Sequence, residues 1–110
     1  MGALLVLTNA PDRATAERIA QHLVEARLAA CVNILAECRS VYRWQGAVET
    51  AAEVPLFVKT TDTQYAAVEQ AIRALHPYEV PEVVAIAIDR GAAPYLEWLA
   101  AQVATAAPSA

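Results

Sequence analysis

The chain has 110 residues, enough for one domain with a single core, and carries a net charge of −4 with a pI near 5.0. No run of lysine or arginine marks a nucleic-acid face, and nothing approaches the roughly 18 consecutive apolar residues of a membrane span. The 57% hydrophobic content overstates the core, because 26 residues are alanine, which forms helices well but buries little area.

In chain order, Leu4 to Thr8 is a short continuous apolar run, the signature of a central strand. The segment before it has no positively charged leader, so a cytoplasmic location is expected. Asp12 is placed to cap a helix whose apolar stripe runs through Ala16, Ile19, Ala20, Leu23 and Val24, ending near Leu28. His22 falls on its polar face, where solvation is the expectation.

Residues 29–60 then read as a long β-hairpin that turns at Gln45-Gly46, with an irregularity at Ala36-Glu37-Cys38. Unbroken, the first arm from Cys31 to Trp44 would reach roughly 46 Å, far longer than one small core can cover. Its overhanging edges predict association with other chains. Within that arm Cys31 and Cys38 lie about 23 Å apart when extended, too far for a disulfide.

A second helix follows a capping segment at Thr61-Asp62-Thr63, with Tyr65, Val68, Ile72 and Leu75 as its stripe. It stops at His76 because Pro77 disfavours helical geometry in the residue before it. Val83 to Ile88 reads as another central strand, and Gly91 and Pro94 introduce a last helix with Leu96, Leu99, Ala100 and Val103 inward. The order β-α-β-β-α-β-α predicts an α+β, ferredoxin-like split βαβ fold: an antiparallel sheet with helices on one face and an extra C-terminal helix. The expected domain spans 1–104, with a flexible tail over 105–110.

Several segments together resemble the CutA family, small proteins named for tolerance to divalent cations. They are Ala29-Ala30-Cys31-Val32-Asn33-Ile34; Ser40-x-Tyr42-x-Trp44-x-Gly46-x-x-Glu49; Lys59-Thr60; His76-Pro77-Tyr78-Glu79-Val80-Pro81-Glu82; and Tyr95-Leu96-x-Trp98-Leu99. The resemblance runs from about Leu4 to Val103. It implies a ferredoxin-like fold, a homotrimer built through the long hairpins, and a link to copper and other divalent metals. It also implies an architectural likeness to the trimeric PII signalling proteins.

The side chains point to three kinds of site. Cys31 offers a soft thiolate suited to copper or another divalent metal, against the plainer role of a packed strand residue. His76 stands at a constrained corner with Glu79 and Glu82 nearby, a nitrogen-and-carboxylate set for Cu(II) or Zn(II), against the role of a helix cap. Lys59, just before the second helix, suits an anion or ion-pairs with Glu49 or Glu53; with Tyr78 and Glu82 it marks a candidate ligand cleft. Tyr42 and Trp44 share one face of the hairpin and fit a trimer interface. No nucleophile elbow or phosphate loop is present, and a Cys31–His76 nucleophile–base pair lacks an orienting third group, so an enzyme is not expected. The leading expectation is a trimeric metal-binding protein of the copper-tolerance kind. The alternatives are a PII-like module holding a small anion or metabolite between subunits, and a scaffold with no ligand.

Overall fold

The computed structural model describes residues 2–105, so all of the expected tail but Thr105 lies outside the described residues. Among these described residues five strands and three α-helices occur: β1 (Ala3–Ala10), α1 (Arg13–Glu25), β2 (Cys31–Ile34), β3 (Cys38–Trp44), β4 (Ala47–Thr61), α2 (Tyr65–Leu75), β5 (Val83–Ala87) and α3 (Ala93–Gln102). A single 3₁₀ turn, Asp62–Gln64, leads into α2. The sheet order is β2-β4-β1-β5, with β3 also paired to β4, and every pairing is antiparallel. This is the ferredoxin-like fold.

Alternation decides which face is buried. Val6, Thr8 and Ala10 of β1 and Val54, Leu56, Val58 and Thr60 of β4 point to one side and are buried. There they meet Ile19 and Leu23 of α1 and Val68 and Ile72 of α2 in one core cluster. Asp12 caps α1, its Oδ1 accepting from the Thr15 amide at 2.7 Å. The carboxyl of Asp12 is held below its ordinary value by the Thr15 backbone bond first, then by the Thr15 side chain, with Arg18 adding attraction.

The first helix ends at Glu25, earlier than its periodicity suggests. Arg27 adopts φ +60°, and the Leu28 and Arg27 amides bond back to the carbonyls of Leu23 and Val24. That pattern is a Schellman stop, with arginine where glycine is usual. The third helix secures this corner: Arg27 Nη2 donates to the Ala101 carbonyl at 2.9 Å, and the Ala104 amide donates to the Arg27 carbonyl at 2.9 Å. Leu99 of α3 and Val103, just past its end, bury against Ala30 and Ala3.

The long hairpin forms, but its first arm is two strands rather than one. Ile34 pairs with Leu56, whereas Cys38 pairs with Glu53. Four steps on one arm therefore match three on the other, so one extra residue is accommodated between 35 and 37. The tip is a two-residue turn with Gln45 at φ 49° and Gly46 at φ 83°, the type I′ geometry that matches strand twist.

The last strand differs from expectation. Although Val83 to Ala87 is apolar throughout, β5 lies at the sheet edge rather than its centre, leaving Val84 47% and Ile86 54% exposed. Continuous apolarity signals two faces that avoid water, and here one of those faces has no cover within the chain. Phe57, which shares Leu7 with Val84 as a register partner, is 36% exposed on the same side.

Candidate functional site: a carboxylate and aromatic cleft beside the hairpin

The candidate side chains divide between two ends of the sheet. At one end, Cys31 and Lys59 are register partners on β2 and β4, on the face turned away from α1 and α2. Lys59 Nζ donates to Asn33 Oδ1 at 2.5 Å. Cys31 is half-buried and free, and Cys38 is exposed and free.

At the other end stands His76, only 6% exposed. Its Nε2 donates to the Asn9 carbonyl at 2.6 Å and its Nδ1 accepts from the Tyr78 amide at 3.1 Å. A carbonyl only accepts and an amide N–H only donates, so the ring is the neutral Nε2–H tautomer with both nitrogens engaged. Both ring nitrogens, which were candidate metal donors, are engaged within this chain. The Tyr78 ring lies against His76 with centroids 4.6 Å apart. Asn9 is held a second time, its Nδ2 donating to Glu82 Oε1 at 3.2 Å. The corner after α2 is thus fastened to the end of β1.

Nor do Cys31, His76 and Glu79 come together in one chain. Cys31 is in register with Lys59 and through it with Leu5, while His76 is bonded to Asn9, four residues further along β1. Two strand spacings and four residue rises separate those positions by roughly 16 Å. Among the described residues, no group of three or more His, Cys, Asp and Glu side chains is arranged to hold a metal ion.

The corner instead builds a cleft of about 700 Å³ against the hairpin. The residue inserted between 35 and 37 sets the register that turns Cys38, Ser40, Tyr42 and Trp44 to the same face as Glu53, Ala51, Glu49 and Ala47. Tyr42, Trp44, Glu49 and Glu53 form one wall; Tyr78, Glu79, Val80 and Glu82 form the other. Tyr78 lies in the angle between them, within reach of the Glu53 charge. Burial first, then the negative charge of Glu53, raises the Tyr78 hydroxyl above its ordinary value near 10. Glu53 itself is only 9% exposed.

Of the expected cleft residues, Tyr78 and Glu82 are therefore together, and Lys59 is elsewhere, beside Cys31. Tyr42 and Trp44 share a face, and that face lines the cleft. Glu49, Glu53 and Asn9 are the residues that sequence reasoning missed as a group. Their signal was the placement of Glu49 opposite Tyr42 and of Glu53 opposite Cys38, visible only once the hairpin register is known.

A profile of the CutA1 divalent ion tolerance proteins matches residues 4–102. The chain belongs to this family. The divalent-cation tolerance protein CutA of Thermus thermophilus is 48% identical over 95 residues, covering 86% of this chain and 92% of that protein. Protein CutA of Mus musculus is 42% identical over 89 residues, covering 81% of this chain but only 50% of the mouse protein. The solved structure of Cut A1 from Thermus thermophilus superposes with a TM-score of 0.91 at 45% identity, over 93% of this chain and 99% of that one. CutA1 from Oryza sativa gives 0.93 at 37% identity, over 96% and 97%. The family concerns divalent-cation tolerance, and these solved structures share this fold. No helix among the described residues is long and apolar enough to cross a membrane.

Proposed function

We propose that this protein is a homotrimer that binds a divalent metal, copper above all, in the service of metal-ion tolerance, and that it is a binder rather than an enzyme. The observation that carries the association is the uncovered apolar sheet face, where Phe57, Val84 and Ile86 are 36%, 47% and 54% exposed. A sheet face of this kind marks an interface in a soluble domain. The hairpin extends it with Tyr42 and Trp44, which are exposed on one face of β3. Three is the number of copies that the resemblance to the CutA family implies.

Cys31 is the donor that suits copper, a soft thiolate on that same sheet face. One chain supplies no complete ligand set around it among the described residues, so the metal is held where copies meet and each contributes a thiolate. Such thiols stay reduced in the cytoplasm, the compartment this role requires. The test is equilibrium dialysis of copper against the parent and Cys31→Ser, with the trimer verified in both. Loss of tight copper uptake in the variant is expected; equal uptake would exclude Cys31 as the donor.

A PII-like role is the second reading, favoured by the cleft between the hairpin and the 78–82 segment. The anion expected there has no cationic partner in the lining, since Lys59 lies at the other end of the sheet.

A further inference from the structure

The face of β4 turned away from α1 and α2 is electrically asymmetric along its length. Glu49, Glu53, Phe57 and Lys59 lie an even number of residues apart on this strand, so all four project from that one face. The strip is acidic toward the hairpin tip, apolar at Phe57 and cationic at Lys59. Lys59 is the chain's one lysine. It is half-buried, and its Nζ donates to a neutral acceptor, Asn33 Oδ1, at 2.5 Å. Among the described residues the ion pairs are Arg73 with Glu69 and Arg90 with Asp89, so Lys59, Glu49 and Glu53 have no counter-charge within the chain.

These charges cannot meet inside one chain. Lys59 stands ten residues from Glu49 and six from Glu53 on a single strand, roughly 33 Å and 20 Å at the strand rise. The pairing that the sequence suggests for Lys59 is therefore closed to an isolated copy. Two observations argue that solvation does not replace it. Lys59 adjoins the uncovered apolar patch of Phe57, Val84 and Ile86. Covering that patch takes the ammonium out of water, and an unpaired buried charge is strongly unfavourable. At the other end, Glu53 is already only 9% exposed and lacks a cation.

A second copy of the chain carries each missing charge at the opposite end of the same strip. Like ends placed together would set ammonium against ammonium and carboxylate against carboxylate, which costs affinity. Unlike ends are complementary, and end-to-end contact repeated around three copies closes a ring. We propose that this face of β4 docks a second copy of the chain, with Lys59 of one copy paired to the Glu49 and Glu53 end of the other. The contact rests on the association argued above and gives it a direction. It needs no copper. It also assigns the acidic wall beside Tyr42 and Trp44 to the meeting of two chains, the same place that the two aromatic rings occupy.

The test is zero-length carbodiimide crosslinking of the metal-free parent, assembled from unlabelled and ¹⁵N-labelled chains and mapped by peptide mass spectrometry. One lysine makes the map unambiguous. Lys59 joined to Glu49 or Glu53 is expected, in peptide pairs of mixed isotope, which only two chains can give. Lys59→Glu and Glu49→Lys, each alone, should speed exchange of chains between labelled and unlabelled assemblies at least roughly tenfold. The double variant restores opposite charges and should return exchange to within about threefold of the parent. Native mass spectrometry reads the exchange and the number of chains, and circular dichroism verifies that each variant is folded; the parent's crosslink needs no variant. A Lys59 crosslink to a carboxylate elsewhere, or single effects that merely add in the double variant, would overturn the pairing while leaving the assembly. A monomeric parent would overturn the association and this contact with it. A two-chain parent that yields the expected crosslink would support the contact and remove the trimer.

Discussion

The imidazole of His76 and the carbonyl of Asn9 are joined at 2.6 Å, which ties the end of α2 to the end of β1 across 67 residues of sequence. With Nδ1 accepting from the Tyr78 amide, the ring is a brace between two backbones. His76→Ala leaves both backbone groups without their partner and should cost about 1–3 kcal/mol of unfolding free energy in chemical denaturation. Copper uptake per chain should be unchanged in the same variant. A parent-like stability combined with lost copper uptake would restore His76 as a ligand.

The hairpin tip depends on one glycine. Gly46 at φ 83° has no neighbour within 4 Å of an added Cβ, so Gly46→Ala is penalised by backbone conformation alone. The expected loss is about 1 kcal/mol. Gln45→Asn, at φ 49°, should be neutral or stabilising, because asparagine tolerates the left-handed region better. Urea melts of both variants check the pair, and an undisturbed Gly46→Ala protein would contradict the turn.

Leu56 is fully buried at the middle of β4, between register partners Thr8 and Ile34. Leu56→Ala opens a cavity under α1 and α2 and should destabilise the fold by about 2–5 kcal/mol. Phe57, one residue on and on the opposite face, should tolerate Phe57→Ala within the chain itself while weakening association. Equal losses of fold stability at both positions, with assembly intact, would argue against an open interface face.

Asp12 gives the fold an acid-sensitive joint. Its folded carboxyl lies below the ordinary 3.8, chiefly through the Thr15 amide. A carboxylate favoured by folding contributes fully above its unfolded pKa, and that contribution is lost as pH falls through the lower folded value. Asp12→Asn keeps a capping oxygen but cannot titrate. The variant should therefore show a shallower decline in melting temperature below about pH 4. A decline parallel to the parent's would mean that the cap has no part in acid sensitivity.

Periodicity is sufficient to read the element order and the helix stripes, because 3.6-residue and 2-residue repeats report burial directly: Ile19, Leu23, Val68, Ile72, Leu56 and Val58 all face the core. The stop at His76 is equally legible, since Pro77 acts locally. What resists reading depends on distant contacts. Arg27 takes a left-handed conformation that α3 secures from 74 residues away. The residue inserted between 35 and 37 shifts the hairpin register by one, and a shift of one reverses every side chain beyond it. That single insertion turns Tyr42 and Trp44 to the side that Glu49 and Glu53 already face on β4, so the cleft is invisible in the sequence although each of its residues is in view. The apolarity of β5 suggests burial at the sheet centre; instead the strand lies at the edge, and its second apolar face has no cover within the chain.

The central claim, a trimer that holds metal between its copies, is tested most directly by native mass spectrometry of metal-stripped protein titrated with copper. The account predicts a three-chain species that takes up copper in a fixed ratio to chains, and a Cys31→Ser trimer that does not. A monomer, or a trimer whose copper uptake ignores Cys31, would contradict it.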